Sequence, residues 1–181
     1  QGLISGLIGV LLKRKAKLFL TLLALYQFQE WRGIKRAVAK WVFKNCDVVF
    51  VEGKGGRKDV ERVCEEEKIK VFNHWIDQDR FKPTDRFEKD TKEDKIKILF
   101  VGRPIPEKGR HIVVEAERIL NDKDKYEFRY IENVEYEDLP QYYQMAHICV
   151  VPSLYAEGFS RVVAEASSCG CNIITSNKGS L

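Results

Sequence analysis

Residues 151–170 read VPSLYAEGFSRVVAEASSCG, and this stretch decides which fold the chain adopts. It starts at the end of an apolar run, His147–Val151, which predicts a buried strand. A helix is predicted over Ser160–Cys169, because serine is a residue type suited to a helix N-cap. A second strand is predicted at Cys171–Thr175. The order strand, helix, strand favours a parallel sheet with right-handed crossovers.

The same alternation of strands and helices continues toward the N terminus. Further strands are predicted at Val48–Val51, Ile69–Phe72, Ile96–Val101 and Tyr126–Ile131. Four further helices are predicted. The first has an apolar face of Ile34, Ala37, Val38, Trp41 and Val42, and the second is a polar helix after Gly53–Gly56 that turns Val60, Val63 and Cys64 inward. The third is lined by Ile112, Val113, Ala116, Ile119 and Leu120, and the fourth is a short helix over Leu139–Ala146. The chain is therefore predicted to be an α/β protein with Rossmann-like parallel sheets and flanking helices. Residues 82–95 have almost no apolar side chains, which predicts a linker between residues 1–81 and 96–181.

The first 26 residues place two apolar segments, Gly2–Leu12 and Leu18–Tyr26, on either side of the basic segment Lys13–Lys17. The charges interrupt the apolar run well before the ~18 residues that a membrane-spanning helix needs. A signal peptide would carry its charges before the apolar run. We therefore expect a buried helix followed by a buried strand, with a basic surface that touches a membrane peripherally as the alternative.

The composition excludes several classes of protein. The 31 Lys and Arg residues nearly balance the 27 Asp and Glu residues, and a net charge of +4 argues against a dedicated nucleic-acid-binding protein. The five cysteines include no C-x-x-C pair, which favours reduced, structural thiols in a cytoplasmic protein. No cluster of His, Cys and Asp has the spacing of metal ligands, so no metal and no cofactor are expected.

Two loops at strand ends carry residues suited to binding an anionic, elongated ligand. In parallel α/β sheets, ligands bind beyond the carboxyl ends of the strands. The loop after Val101 contains Arg103 and Lys108, two cations that suit a diphosphate, although such a turn is also common as a purely structural one. After Val151 come Glu157 and Glu165, which are too far apart along a helix (about 12 Å) for an acid/base dyad. They could bind hydroxyls at two ends of a ligand, or they could be a surface loop residue and a solvated helix residue.

These loops resemble motifs of the family-four retaining glycosyltransferases, the group of the sucrose- and glycogen-synthase-like enzymes. The matching segments are VGR…EKG at Val101–Gly109, PSLYAEGF…EA…CG at Pro152–Gly170, NHWIDQDRF at Asn73–Phe81 and the "L-P-x-x-Y-x-x-A" helix at Leu139–Ala146. The resemblance runs in family order from about residue 17 to residue 180. It implies the two-lobed GT-B architecture, with residues 1–81 as an incomplete N-terminal, acceptor-side lobe and residues 96–181 as the nucleotide-sugar-binding lobe.

The resemblance also implies a role for each matching residue. Arg103 and Lys108 would neutralise the donor diphosphate, and Glu157 would hold a hydroxyl of the transferred sugar. Glu165 would bind the ribose hydroxyls. Other donor-binding residues would be Gly102, Gly158, Phe159 and Ser160, with Asn133 and Val134 near the base. The family is usually independent of metal ions.

The sequence also departs from the family pattern. Arg161 stands where the family usually has an apolar or small residue. The acceptor-side histidine of the family is not matched by His74, His111 or His147, which we expect to be structural.

Three functions are compatible with these features. The first is a glycosyltransferase that moves a sugar, with retention at the anomeric carbon, from a nucleoside diphosphate sugar to a saccharide, lipid or protein acceptor that the sequence does not specify. The second is a nucleotide-sugar-binding module that is inactive or needs a partner chain. The third is a small basic α/β protein that binds nucleic acid.

Overall fold

The computed structural model describes residues 2–13, 15–23, 28–84 and 95–179. They form two compact units: the described residues up to 74, together with 157–159, make up the first, and the described residues of 75–156 and 160–179 make up the second. The first unit contains α1 (Gly2–Leu12), β1 (Phe19–Leu22), α2 (Gly33–Asn45), β2 (Val48–Glu52), α3 (Gly53–Val60) and β3 (Ile69–Phe72). The second contains β4 (Ile96–Val101), α4 (Arg110–Leu120), β5 (Tyr126–Ile131), α5 (Leu139–Met145), β6 (Ile148–Val151), α6 (Arg161–Ser168) and β7 (Asn172–Thr175). Short 3-10 turns lie at Phe28–Glu30, Glu66–Lys68, Pro106–Lys108 and Tyr136–Asp138.

The first unit is built on a parallel three-stranded sheet in the order β1-β2-β3. The central strand β2 places Val49 and Val51 in the core with no exposed surface, as its apolar run predicts. The edge strand β1 buries Leu20 and Leu22 and leaves Phe19 56% exposed. The expectation of a buried strand here is therefore correct for one face only, and residues 24–26 of the predicted segment lie outside the described residues.

Helix α1 covers one side of this core and is not fully buried, which corrects the expectation of a buried helix. Its inner residues Leu3, Leu7 and Val10 pack against the core, and Gly6 allows the helix to approach Val42 closely. The opposite face consists of Ile4, Ile8, Leu11 and Leu12, all more than half exposed. Within the described residues, no helix is both long enough and apolar enough to cross a membrane.

Two other details of the first unit correct the sequence-based picture. Helix α2 buries Ala39, Val42 and Phe43, while Ile34 and Trp41 are exposed, because the apolar residues of this helix spread over a wide arc and the core covers only part of it. Helix α3 begins at Gly53, so the glycine-rich segment is its first turn and not a preceding loop. The three residues expected to face inward after it, Val60, Val63 and Cys64, are buried.

The second unit is a parallel four-stranded sheet in the order β5-β4-β6-β7. Every strand predicted for it is present within a residue of its expected bounds, so the Rossmann-like α/β prediction is confirmed. Its core gathers Leu99, Tyr143, Cys149, Val151, Ala166, Cys169 and Cys171. Helix α4 departs from expectation, because Val113 alone of its five predicted inward residues is buried.

The boundary between the units lies near His74 and not at Phe81. Residues 75–81 belong to the second unit, where Phe81 is 1% exposed and its ring lies 5.4 Å from that of Tyr136. The sequence misplaced this boundary because the polar run that suggests a linker starts only after Phe81. Most of the predicted linker, residues 85–94, lies outside the described residues.

All five cysteines are buried and none forms a disulfide. Burial raises the pKa of the Cys64 and Cys169 thiols to about 11 and that of Cys171 to about 12. These thiols are therefore neutral near pH 7 and are not nucleophiles, which agrees with the structural role expected for them.

Candidate functional site

The loops after β4, β5 and β6 emerge at one edge of the second unit's sheet, because its strands are parallel and in register. The backbone N–H of Gly102, the first residue after β4, donates to the carbonyl oxygen of Ile131 at the end of β5, 3.1 Å away. Of the predicted site residues, this unit contains Gly102, Arg103, Lys108, Asn133, Val134, Ser160 and Glu165. The prediction that strand ends bring these residues to one edge is consistent with this topology.

The loops after β4 and β6 are joined through their backbones. The N–H of Leu154 donates to the carbonyl oxygen of Glu107 at 2.8 Å. Gly109 adopts a left-handed conformation (φ 74°), and a Cβ atom at this position would collide with the carbonyl oxygen of Pro152. Only glycine tolerates both the conformation and the close approach. The two loops therefore form one rigid edge.

Two cations lie on this edge in different surroundings. Arg103 is exposed, and Lys108 is half-buried. The Lys108 Nζ atom donates to the Tyr155 hydroxyl at 2.8 Å and lies 5.0 Å from the centre of that ring. Arg110, the next basic residue, pairs with Glu132 at 3.1 Å.

Glu165 is the most deeply buried carboxylate on this side of the sheet, with 2% of its surface exposed. Its Oε2 atom accepts a hydrogen bond from the Tyr143 hydroxyl, and its Oε1 atom accepts one from Arg161 Nη2, both at 3.1 Å. Burial raises the pKa of Glu165, and the charge of Arg161 and the hydrogen bonds oppose that rise. The interpretation of Glu165 as a solvated helix residue is therefore wrong.

Helix α6, which carries Glu165, begins at the predicted N-cap. The Ser160 hydroxyl oxygen accepts from the N–H of Val163 at 3.5 Å. Arg161 occupies the first turn, four residues before Glu165, and its guanidinium lies 4.7 Å from the centre of the Tyr136 ring. Sequence reasoning noted Arg161 as unusual but gave it no role. The signal that could have found one is its i, i+4 spacing from Glu165, which brings side chains on a helix together.

The residues expected near a base lie in the loop after β5. Asn133 is exposed and has a left-handed backbone conformation (φ 53°), which asparagine tolerates better than most residues. Val134 is half-buried beside it. The contact of these two residues with a base stays a prediction.

Glu157, Gly158 and Phe159 group with the first unit. Glu157 is only 5% exposed, so its interpretation as a surface loop residue is wrong. The Phe159 ring lies 5.2 Å from that of His74, whose Nε2 atom pairs with the carboxylate of Glu52. Glu52 is 4% exposed, and its burial raises its pKa against the opposing effect of His74. Sequence reasoning missed this buried pair, although it expected His74 to be structural.

Among the described residues, no group of three or more His, Cys, Asp or Glu side chains is placed to hold a metal ion. His147 has a structural contact, since its Nδ1 atom accepts from the N–H of Lys97 at 3.0 Å.

Solved structures of other proteins share this fold along nearly the whole chain. Sucrose-phosphate synthase from Thermosynechococcus elongatus is 22% identical and superposes with a TM-score of 0.72, over 98% of this chain and 55% of that one. A structure of Anabaena HepE in complex with UDP and glucose is 14% identical, with a TM-score of 0.70 over 98% of this chain and 58% of that one. The protein therefore has the GT-B type of α/β fold.

The sequence comparisons add a match in the C-terminal part of the chain. Residues 125–181 match the model of the glycosyl transferases group 1. A D-inositol 3-phosphate glycosyltransferase from Catenulispora acidiphila is 26% identical over 63% of this chain and 36% of its own length. The chain thus spans about a third of the length of this curated relative and just over half of the solved proteins it resembles.

Proposed function

We propose that the protein is part of a retaining glycosyltransferase, a hexosyltransferase whose donor is a nucleoside diphosphate sugar. The observation that carries the proposal is the rigid edge of the second unit. There, Lys108 lies on a loop joined by its backbone to the loop after β6, and helix α6 behind that loop holds a buried carboxylate, Glu165. Residues 125–181 match a glycosyltransferase family, which supports the same conclusion.

The chemistry assigned to the cations follows from where charge develops during sugar transfer. As the bond between the anomeric carbon and the diphosphate breaks, negative charge grows on the leaving diphosphate. Arg103 and Lys108 would stabilise that charge, and they would do so best in a loop that is already fixed in position. Because these cations can neutralise the diphosphate, we propose that donor binding needs no metal ion.

The carboxylates would serve recognition. Glu165 would accept hydrogen bonds from the ribose hydroxyls, supported by Tyr143 and Arg161. The resemblance assigns a hydroxyl of the transferred sugar to Glu157, with donors from the backbone of Gly158 and Phe159, and this assignment stays a prediction. Ser160 caps the helix and would offer further donors to the ligand.

A second candidate is a nucleotide-sugar-binding module that does not catalyse transfer by itself. It is favoured by one observation, that Arg103, Lys108 and Glu165 all belong to the second unit, so that the residues proposed to bind the nucleotide lie in one unit. Transfer requires an acceptor oriented against the donor, and orientation supplies a large part of the rate. We expect the 181-residue chain to bind donor far better than it transfers sugar. Turnover with candidate saccharide or lipid acceptors, measured beside donor affinity, separates the two candidates.

The decisive experiment is calorimetric titration of UDP and GDP in excess chelator. The wild-type chain should bind one of them, and R103A/K108A should lose at least about 100-fold in affinity, since each charge-assisted hydrogen bond is worth ~1.5–3 kcal/mol. The matched control is R118A/K123A, which removes the same charge at the other end of α4. Unchanged affinity in R103A/K108A, or a wild-type affinity that appears only on adding Mg²⁺ or Mn²⁺, would contradict the corresponding part of the proposal.

A further inference from the structure

Arg161 and Glu165 form an ion pair in which the arginine is exposed to solvent and the glutamate is buried. The Arg161 side chain is 55% exposed, and that of Glu165 is 2% exposed. The two are one helical turn apart on α6, and Arg161 Nη2 donates to Oε1 at 3.1 Å. Because the guanidinium reaches inward from the surface, it supplies charge to a carboxylate that water barely contacts.

The guanidinium of Arg161 is held on a second side as well. It lies 4.7 Å from the centre of the Tyr136 ring, and the guanidinium of Arg80 lies 5.3 Å from the same ring. The ring is in turn packed against Phe81 in the core. A planar guanidinium that stacks on an aromatic ring and donates to a carboxylate has little rotational freedom left. The guanidinium of Arg161 is therefore held in one orientation beside the Glu165 carboxylate.

We infer that Arg161 is a positioning residue for the recognition of nucleoside hydroxyls: it fixes the carboxylate of Glu165 so that this carboxylate can accept hydrogen bonds from the vicinal hydroxyls of a ribonucleoside diphosphate. The inference rests on the proposed function. Tyr143 donates to Oε2, Arg161 donates to Oε1, and the Tyr136 side chain also interacts with this carboxylate, so its orientation is fixed. A carboxylate has about four acceptor positions, so these contacts leave capacity for a ligand hydroxyl.

The contacts that Tyr143 and Arg161 make with the Glu165 carboxylate differ in their exposure to solvent. Tyr143 donates from inside the core, where its side chain has no exposed surface, so it cannot approach a ligand. Arg161 is the partner on the solvent side. Because its guanidinium is committed to Glu165 and Tyr136, it should affect the hydroxyls of a ligand and not its phosphates.

The experiment compares three ligands on R161M and on the wild-type chain by calorimetry. The ligands are the nucleoside diphosphate that the wild type binds more tightly, UDP or GDP, its 2′,3′-dideoxy analogue, and inorganic pyrophosphate. R161M should weaken the ribonucleotide about 10-fold, which corresponds to ~1.4 kcal/mol, and should change the other two less than about twofold. R161K should give an intermediate loss, because an ammonium keeps the charge but does not stack or orient in the same way.

The matched control is R118M, which breaks an exposed ion pair between Arg118 and Glu115 on α4. It should change none of the three affinities. If R161M weakens all three ligands equally, Arg161 acts as a general charge and the inference is wrong. If R161M leaves the ribonucleotide unaffected, it is also wrong. If the wild-type chain binds neither the nucleotides nor pyrophosphate, the proposed function itself fails. Should R161M not fold, the R161K comparison across the same ligands decides.

Discussion

Each unit pairs a buried carboxylate with a basic side chain, and the two basic side chains differ in kind. In the first unit, Glu52 ends β2 and pairs with His74, which packs between the rings of Phe72 and Phe159. In the second unit, Glu165 pairs with Arg161. An arginine guanidinium is charged throughout the physiological range of pH and donates in a fixed planar geometry. Under the proposed function, the pair with Arg161 orients Glu165 as an acceptor for ligand hydroxyls, whereas no ligand is proposed for Glu52.

The largest effect that this comparison predicts is on ligand binding. Glu165→Ala should weaken nucleoside diphosphate binding about 100-fold, because it removes two hydrogen bonds from hydroxyls to a charged acceptor, each worth ~1.5–3 kcal/mol. Glu52→Gln is the matched change in the first unit, and it should leave the affinity within about twofold. Both are measured by calorimetric titration. Equal losses in the two variants would show that the carboxylates do not differ in role.

An intermediate effect is predicted on stability. His74→Leu removes the partner of a carboxylate that is 4% exposed, so the free energy of unfolding should fall by ~1–3 kcal/mol. His74→Gln, which keeps a hydrogen-bond donor, should lose less. The measurement is denaturation by urea near pH 7, followed by circular dichroism. A leucine variant as stable as the wild type would show that Glu52 finds water or another donor.

The two buried carboxylates, Glu52 and Glu165, illustrate what the sequence could and could not predict. The strands of the second unit and the N-cap Ser160 followed directly from apolar runs and turn chemistry, which are local properties. The partners of Glu52 and Glu165 did not, because each pair depends on which faces of distant elements meet. The apolar periodicity also failed to predict burial on α1 and α4, where apolar side chains are exposed. Periodicity shows that one face of a helix is apolar, but it does not show what packs against that face.

The boundary at His74 is a second case of non-local information. Residues 75–81 have no apolar run of their own, and it is their contacts that assign them to the second unit: Phe81 packs against Tyr136 and Tyr143, and Ile76 packs against the same core. By contrast, the resemblance in short motifs predicts a site directly, since those motifs lie at strand ends where parallel topology brings loops together, and this site stays a prediction.

The smallest effect is a pH dependence that distinguishes Glu165 from an ordinary exposed carboxylate. Its pKa is raised in the folded state, chiefly by burial, so the ionised form is less favourable in the folded chain than in the unfolded one. The wild type should therefore lose stability relative to Glu165→Gln as the pH rises through the raised pKa, and the difference should shrink as the pH falls toward the ordinary glutamate range.

This dependence is measured as the difference in the free energy of unfolding between the wild type and Glu165→Gln from pH 4 to pH 8. Glu115→Gln provides the control, because the hydrogen bond from Arg118 lowers the pKa of that exposed carboxylate and the slope should have the opposite sign. A slope of the same sign in both variants would show that Arg161 fully offsets the burial of Glu165.

Two contacts limit how the sequence of this edge can change during evolution. They are the backbone hydrogen bond from Leu154 to Glu107 and the close approach of Gly109 to Pro152. Since main-chain atoms make both contacts, exchanging the side chain at position 103 or 107 alters charge without removing either contact. The charge of this edge can therefore change through point substitutions while both backbone contacts between the two loops are kept. A length change in either loop has no such freedom, because it would need a compensating change in the other.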